Sequence, residues 1–134
     1  MKKINAFFWV KIAIALTLAI GIPAVGIAEE IYMRGAFDGV AADCEEIVAL
    51  IERGDADGAA SLAEALRSDW SQKRDMLEFI YPNADVKELQ PQIGELIGDL
   101  KADLDDDAIA RAKMIAALAE NSKNLLAFKW KNIL

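Results

Sequence analysis

Histidine is absent from this sequence, and cysteine occurs once, at Cys44. Without histidine, the chain lacks the commonest general base and the commonest transition-metal ligand. A single cysteine excludes an intrachain disulfide and a cysteine-cluster metal site. Glycine and proline are sparse, at eight and three residues, while Ala, Leu, Glu, Asp and Lys dominate. This composition is typical of a helical protein, and we expect no metal or other cofactor.

The one long apolar run is the segment 4–28, INAFFWVKIAIALTLAIGIPAVGIA. A helix of about 20 residues, rising 1.5 Å per residue, crosses a bilayer core of about 30 Å. Lysines 2, 3 and 11 lie at its start and Glu29-Glu30 follows its end, so the positive-inside rule places the N-terminus in the cytoplasm. We therefore predict a membrane anchor over residues 1–28 and an extracytoplasmic domain over residues 29–134.

A cleaved secretory signal is the alternative interpretation of this segment. Its basic start, the helix breaker Pro23 and the small-x-small sequence Gly26-Ile27-Ala28 before Glu29 are features of such signals. The length of the apolar run favours an anchor. If Ala28–Glu29 is cleaved, the domain is secreted, so both interpretations place it outside the cytoplasmic membrane.

All 22 acidic residues of the chain follow Ala28, together with 12 basic residues. The domain 29–134 therefore carries a net charge of −10. An acidic domain repels the phosphate backbone, so we expect no nucleic-acid partner.

Apolar residues recur at helical spacing through the rest of the chain. The pattern predicts four helices. The first covers about 29–53, and the second begins at an Asp55 or Asp57 cap and ends at Ile80. The third covers about 85–104 and the fourth about 105–125. Asp85 is the cap candidate of the third helix, although Pro91 indicates either a kink or a start at that residue. Short connections favour antiparallel neighbours. The predicted fold is all-α, with an N-terminal transmembrane helix followed by an antiparallel bundle of about four helices.

The alternating directions of four such helices return the C-terminus to the outer membrane face. Trp130 between Lys129 and Lys131 has the composition of a lipid-interface segment. It also fits a second interpretation, in which Trp130 closes the end of the bundle.

Three further residues are candidates for interaction. Trp70 lies on the apolar stripe of the second helix, where it either packs in the core or lines a ligand pocket. Gly94 and Gly98 share a face of the third helix. They either let another helix approach closely or weaken the helix locally.

Catalytic and metal-binding motifs are not evident. The cluster Asp103, Asp105, Asp106 and Asp107 lacks the glycine and glutamate of a calcium loop, since Ala108 and Met114 occupy those positions. We interpret it as a solvated turn that favours the start of the fourth helix. No phosphate loop or nucleophile elbow is present, so we predict that the protein is not an enzyme.

Three stretches resemble an uncharacterised family of small bacterial membrane-anchored helical proteins, a domain of unknown function. They are Glu29-Glu30-Ile31-Tyr32, the run 59–70 (AASLAEALRSDW) and the closing Lys131-Asn132-Ile133-Leu134. The chain departs from the family in its final leucine and in lacking a histidine after the second helix. The resemblance implies anchoring and helical architecture, and no activity.

These observations favour a membrane-anchored interaction or structural module. Its partners would be the lipid bilayer, through residues 4–28, and another membrane or envelope protein. The alternative is a helical bundle that senses a small ligand in a pocket near Trp70 or Trp130.

Overall fold

The structure is a computed structural model that describes residues 5–133, apart from the side chains of Trp130 and Ile133. Within this range the chain forms four helices and no strand. They are α1 (Ala6–Glu52), α2 (Ala56–Ile80), α3 (Ala84–Lys101) and α4 (Asp105–Ile133). The predicted all-α class is confirmed.

The chain divides into two compact units, Met1–Tyr32 and Met33–Leu134. The second unit begins four residues later than the predicted boundary at Glu29. The prediction of a separate first helix near Glu29 is wrong, because α1 continues from Ala6 to Glu52 and contains Pro23. A proline inside a helix removes one backbone donor, and here the helix continues on both sides of it.

Gly54 ends α1, as predicted. Its φ of +78° is the left-handed conformation that glycine adopts without steric penalty. The Asp55 amide then donates to the Leu50 carbonyl at 2.9 Å and the Gly54 amide to the Ile51 carbonyl at 3.0 Å, which is a Schellman motif. Asp55 also caps α2, since its Oδ1 accepts from the Gly58 amide at 2.9 Å. Of the two predicted caps, Asp55 is therefore the one used.

Asn83 starts α3, and the prediction of Asp85 as its cap is wrong. The Asn83 side-chain oxygen accepts from the Asp85 amide at 2.7 Å, so Asp85 lies in the first turn, where its charge favours the helix dipole. Pro91 lies inside α3 and does not begin it. An asparagine directly after Pro82 caps well because the extended backbone orients its side chain toward the free amides.

Asp103 ends α3 in the same way that Gly54 ends α1. Its φ is +57°, and the Leu104 amide donates to the Asp99 carbonyl at 3.0 Å. Asp105, Asp106 and Asp107 occupy the first turn of α4, where negative charge is favourable. This bears out the interpretation of the acidic cluster as a helix start.

The second unit has one hydrophobic core to which all four helices contribute. Its largest fully buried side chains come from every helix and include Trp70, Phe37, Met33, Ile47, Leu66, Leu77, Leu89, Ile93, Leu96 and Ile115. Alanines 108, 112 and 119 supply much of the buried face of α4. Small side chains there let α4 approach its neighbours closely.

Contacts between side chains establish which helices are neighbours in this unit. Phe37 of α1 packs on Trp70 of α2, with ring centroids 6.3 Å apart. Lys123 of α4 donates to Asp38 of α1 at 2.7 Å. Helix α3 packs against both α2 and α4. The residues from Met33 onward therefore form a four-helix bundle with the neighbour order α1, α2, α3, α4.

The bundle has two ends, which we name after a residue at each. The Gly54 end contains the turns at Gly54 and Asp103. The Tyr81 end contains the turn at Tyr81, where the Lys129 ammonium lies 5.6 Å from the centre of the Tyr81 ring. Because α1 runs toward Gly54, the first bundle residue, Met33, lies at the Tyr81 end.

Candidate functional site

The first unit exposes a continuous apolar helical surface. The window of highest mean hydropathy in α1 reaches 2.2, and none of it is buried. Its exposed side chains include Phe7, Phe8, Trp9, Val10, Ile14, Leu16, Leu18, Ile20, Ile22, Val25 and Ile27. By length and composition this helix could cross a membrane, and a signal sequence would share both properties.

Two local contacts reduce the polarity of this segment. The Thr17 hydroxyl donates to the Ala13 carbonyl at 2.8 Å, which satisfies the hydroxyl within the helix. The Lys11 ammonium lies 4.6 Å from the centre of the Phe7 ring, a cation–π contact. Lys11 is exposed near the start of the helix, where a long side chain can reach an interface.

Several large apolar side chains are exposed at the Tyr81 end of the bundle. Phe79 is 88% exposed and Phe128 65% exposed, and Met76 and Leu125 are also exposed. Phe79 was not among the residues predicted from the sequence to interact with a partner or a membrane. Its position two residues after Leu77 rotates it by about 200° around the helix, away from the stripe that Leu77 belongs to.

The predicted interface residues Lys129 and Lys131 are both exposed on the last turns of α4. The Trp130 side chain lies outside the described residues, so its predicted role stays a prediction. Lys129 and Tyr81 meet at one end of the bundle, whereas the predicted return of the C-terminus to the outer membrane face stays a prediction.

Trp70 is a core residue, only 1% exposed and packed on Phe37. Its indole nitrogen is buried and has no hydrogen-bond partner within the protein. Of its two predicted roles, the structure therefore places Trp70 in core packing.

Gly94 and Gly98 lie on an exposed face of α3. A Cβ atom added to either glycine would meet no other atom within 4 Å. No helix of the described chain therefore approaches them closely. The two glycines therefore form an open strip on α3, an exposed surface that has no side chains at these two positions.

A partly open cavity of about 150 Å³ lies between α1 and α4. Its lining is mostly apolar and consists of Cys44, Glu45, Val48, Ala112, Lys113 and Ala116. Its volume is close to that of cavities that hold a benzene-sized molecule, and here the charged residues Glu45 and Lys113 also line it. Trp70, near which a pocket was predicted, is not among these residues.

Burial shifts the pKa values of Cys44, which lines this cavity, and of Asp43, which faces α2. Burial raises the pKa of the Cys44 thiol to about 12, and the carboxylates of Asp43 and Glu45 add to the shift. Such a thiol is protonated and unreactive at neutral pH. Burial also raises the pKa of Asp43, as does Asp69 across the α1–α2 interface, while Lys73 opposes the shift.

Charged side chains connect the helices of the bundle. Arg111 of α4 contacts Glu95 and Asp99 of α3, and its Nε lies 2.6 Å from the Asp99 carboxylate. This hydrogen bond is the main reason that the pKa of Arg111 is raised. Among the residues that the structure describes, no group of three or more Cys, Asp or Glu side chains is placed to hold a metal ion.

Over residues 5–133, the fold and the exposed apolar segment define a class of protein, one that combines an all-α fold, one candidate membrane span and a helical bundle. No protein family, curated protein or solved structure matches the chain. The resemblance noted from the sequence therefore stays a prediction.

Proposed function

We propose that this protein is a single-pass membrane protein whose helical bundle lies outside the cytoplasm and binds or supports another membrane or envelope protein. Residues 4–28 lie in the bilayer and the N-terminus is cytoplasmic. The proposal assigns no catalytic activity to the bundle.

The exposed apolar surface of the first unit is the observation that supports anchoring. Each exposed apolar side chain in water forfeits about 1.5–3 kcal/mol of burial free energy. More than ten such side chains in one helix are far more than a soluble surface tolerates. Lipid removes this penalty, and an α-helix satisfies its own backbone hydrogen bonds there.

Several charged side chains of the bundle pair with each other between helices, and an exposed surface of α3 supports the proposed binding role. Arg111, Lys101 and Lys123 pair with carboxylates of neighbouring helices. These contacts use charge to hold the bundle together. The open strip at Gly94 and Gly98 is the kind of surface on which a helix of another protein can pack closely.

Two measurements test the anchor. Alkaline extraction of cell membranes should leave the full chain in the pellet, and sequencing its N-terminus should find the residues before Glu29 retained. A mature chain that begins at Glu29 and is released by extraction would establish secretion instead.

A photo-crosslinking amino acid at Gly94 tests the partner in native membranes. We expect one adduct of defined mass, and Gly98→Leu should abolish it by blocking close approach. The matched control places the crosslinker at Ala65, an exposed residue of α2. Equal crosslinking from both positions would show unspecific proximity and contradict the role of this face.

A small-ligand binding bundle is the alternative function, and the cavity between α1 and α4 is the observation that favours it. Benzene or indole should then raise the melting temperature of the purified chain. Ala116→Leu should fill the cavity and remove the shift, whereas Ala65→Leu should not. A screen without any shift argues against this alternative.

A further inference from the structure

Charge is distributed unequally along the bundle. The half nearest Tyr81 (33–42, 71–94 and 119–133) contains seven basic and six acidic residues, a net charge of +1. The half nearest Gly54 (43–70 and 95–118) contains five basic and fourteen acidic residues, a net charge of −9. The net charge of −8 on residues 33–134 therefore belongs to the Gly54 end, and Glu29 and Glu30 supply the other two negative charges of the domain 29–134.

Exposed large apolar side chains are more numerous in the Tyr81 half, with Met76, Phe79, Leu125 and Phe128, than in the Gly54 half, with Leu104 and Met114. Phe79 and Phe128, the two most exposed large apolar residues described in the bundle, both lie at the Tyr81 end. Lys129 and Lys131 follow Phe128 directly on α4. Exposed aromatic side chains next to lysines are typical of protein surfaces in the headgroup region of a bilayer.

Chain connectivity adds a third, independent observation. Met33 is the first bundle residue and lies at the Tyr81 end, and one peptide bond joins it to the unit that contains the candidate membrane span. The Gly54 end, with its net charge of −9, lies at the opposite end of the same helices. An anionic membrane surface attracts lysines and repels carboxylates, so it favours the Tyr81 end over the Gly54 end.

We propose that the Tyr81 end of the bundle is a lipid-contacting surface, on which Phe79 and Phe128 enter the headgroup region of an anionic phospholipid bilayer while Lys129 and Lys131 contact lipid phosphates. The inference rests on the proposed membrane anchoring. It adds a second membrane contact, which restricts the orientation of the bundle and directs the acidic Gly54 end away from the bilayer.

Two exposed residues of α4 provide a matched pair of reporter positions. Leu125 is 45% exposed and Met114 40% exposed, and eleven residues separate them, or about 16 Å along the helix. Each is replaced by cysteine in a Cys44→Ala background and labelled with a fluorophore. The full chain is then reconstituted in phosphatidylcholine vesicles with phosphatidylglycerol and a headgroup nitroxide quencher.

We expect several-fold stronger quenching at position 125 than at position 114. Phe79→Ser with Phe128→Ser should reduce quenching at position 125 toward the level at 114. Lys129→Glu with Lys131→Glu should reduce it in vesicles that contain phosphatidylglycerol and leave it nearly unchanged in pure phosphatidylcholine. Lys101→Glu with Lys113→Glu is the control, with the same charge change at the Gly54 end, and should have no effect.

Flotation of the vesicles separates failure of this inference from failure of the proposed anchor. If the labelled chain does not float with the vesicles, membrane anchoring itself is wrong. If it floats and the two positions are quenched equally, or position 114 more strongly, the anchor stands and the lipid-contacting surface is refuted.

Discussion

Cys44 provides the most quantitative test of the bundle. The thiol is buried in the core and has a pKa of about 12, against an ordinary value of 9.0. When the bundle unfolds, the thiol returns to its ordinary pKa. Below about pH 9 both states keep the proton, so the stability of the bundle does not depend on this group.

Above that pH the unfolded chain loses the thiol proton and the folded chain keeps it. The free energy of unfolding then falls by about 1.4 kcal/mol per pH unit until the pH reaches the folded pKa. For pKa values of 9 and 12 the loss is about 2 kcal/mol at pH 10.5.

Cys44→Ala isolates the contribution of the thiol to the pH dependence of the free energy of unfolding, because it removes the titrating group. At pH 7 the variant should be less stable by about 1 kcal/mol, the usual effect of deleting one methyl-sized group from a core. Near about pH 9.6 the two stabilities should be equal, and at pH 10.5 the variant should be the more stable protein.

Urea unfolding of the full chain in detergent micelles, followed by far-ultraviolet circular dichroism at several pH values, measures both stabilities. Other groups that titrate in alkali affect both proteins equally and cancel in the difference. A stability difference that stays constant from pH 7 to 10.5 would refute the burial of this thiol, and rapid alkylation of the folded chain at pH 8 would do the same.

Three further changes test the packing, the turns and the charges of the bundle by the same unfolding assay. Trp70→Ala should destabilise the bundle by about 3–5 kcal/mol, because it empties a core site; a loss below 1 kcal/mol would contradict its burial. Asp103→Gly should stabilise by up to about 1 kcal/mol by relieving a left-handed backbone, whereas Gly54→Ala should destabilise. Asp43→Asn should stabilise at pH 7, since the raised pKa of Asp43 shows that its charge is unfavourable in the fold. That advantage should disappear as the pH falls below about 4, and its persistence at pH 3 would refute the explanation.

Local sequence determined most of the helical architecture. Spacing of apolar residues predicted four helical regions, and Gly54 and Asp55 marked the first turn correctly. These features depend on interactions within a few residues of each other, such as the hydrogen bond of Asp55 to the Gly58 amide. The third helix was predicted less well, because Asn83 and Asp85 are both good caps and only the backbone conformation after Pro82 selects between them.

The apolar run 4–28 likewise follows from composition alone, since its hydropathy needs no partner. The continuation of this segment into the bundle as one helix was not predicted, because Pro23 and Glu29-Glu30 were interpreted as the end of a helix. Glutamate is compatible with a helix. Proline removes one donor and its ring crowds the carbonyl four residues earlier, at a cost of about 3 kcal/mol, and α1 nevertheless continues through Pro23.

Contacts between distant parts of the chain were decided only by tertiary structure. Asp38 and Lys123 are 85 residues apart in sequence and form an ion pair, and Arg111 contacts carboxylates that the sequence could not assign to it. The two roles open for Trp70, core or pocket, were likewise resolved by the position of Phe37. Helical periodicity shows which side of a helix is apolar, whereas burial and charge at each end of the bundle depend on how the helices pair. That is why the position of Phe79 and Phe128 at the same end of the bundle, and the separation of charge between the Tyr81 and Gly54 ends, could be recognised only in the fold.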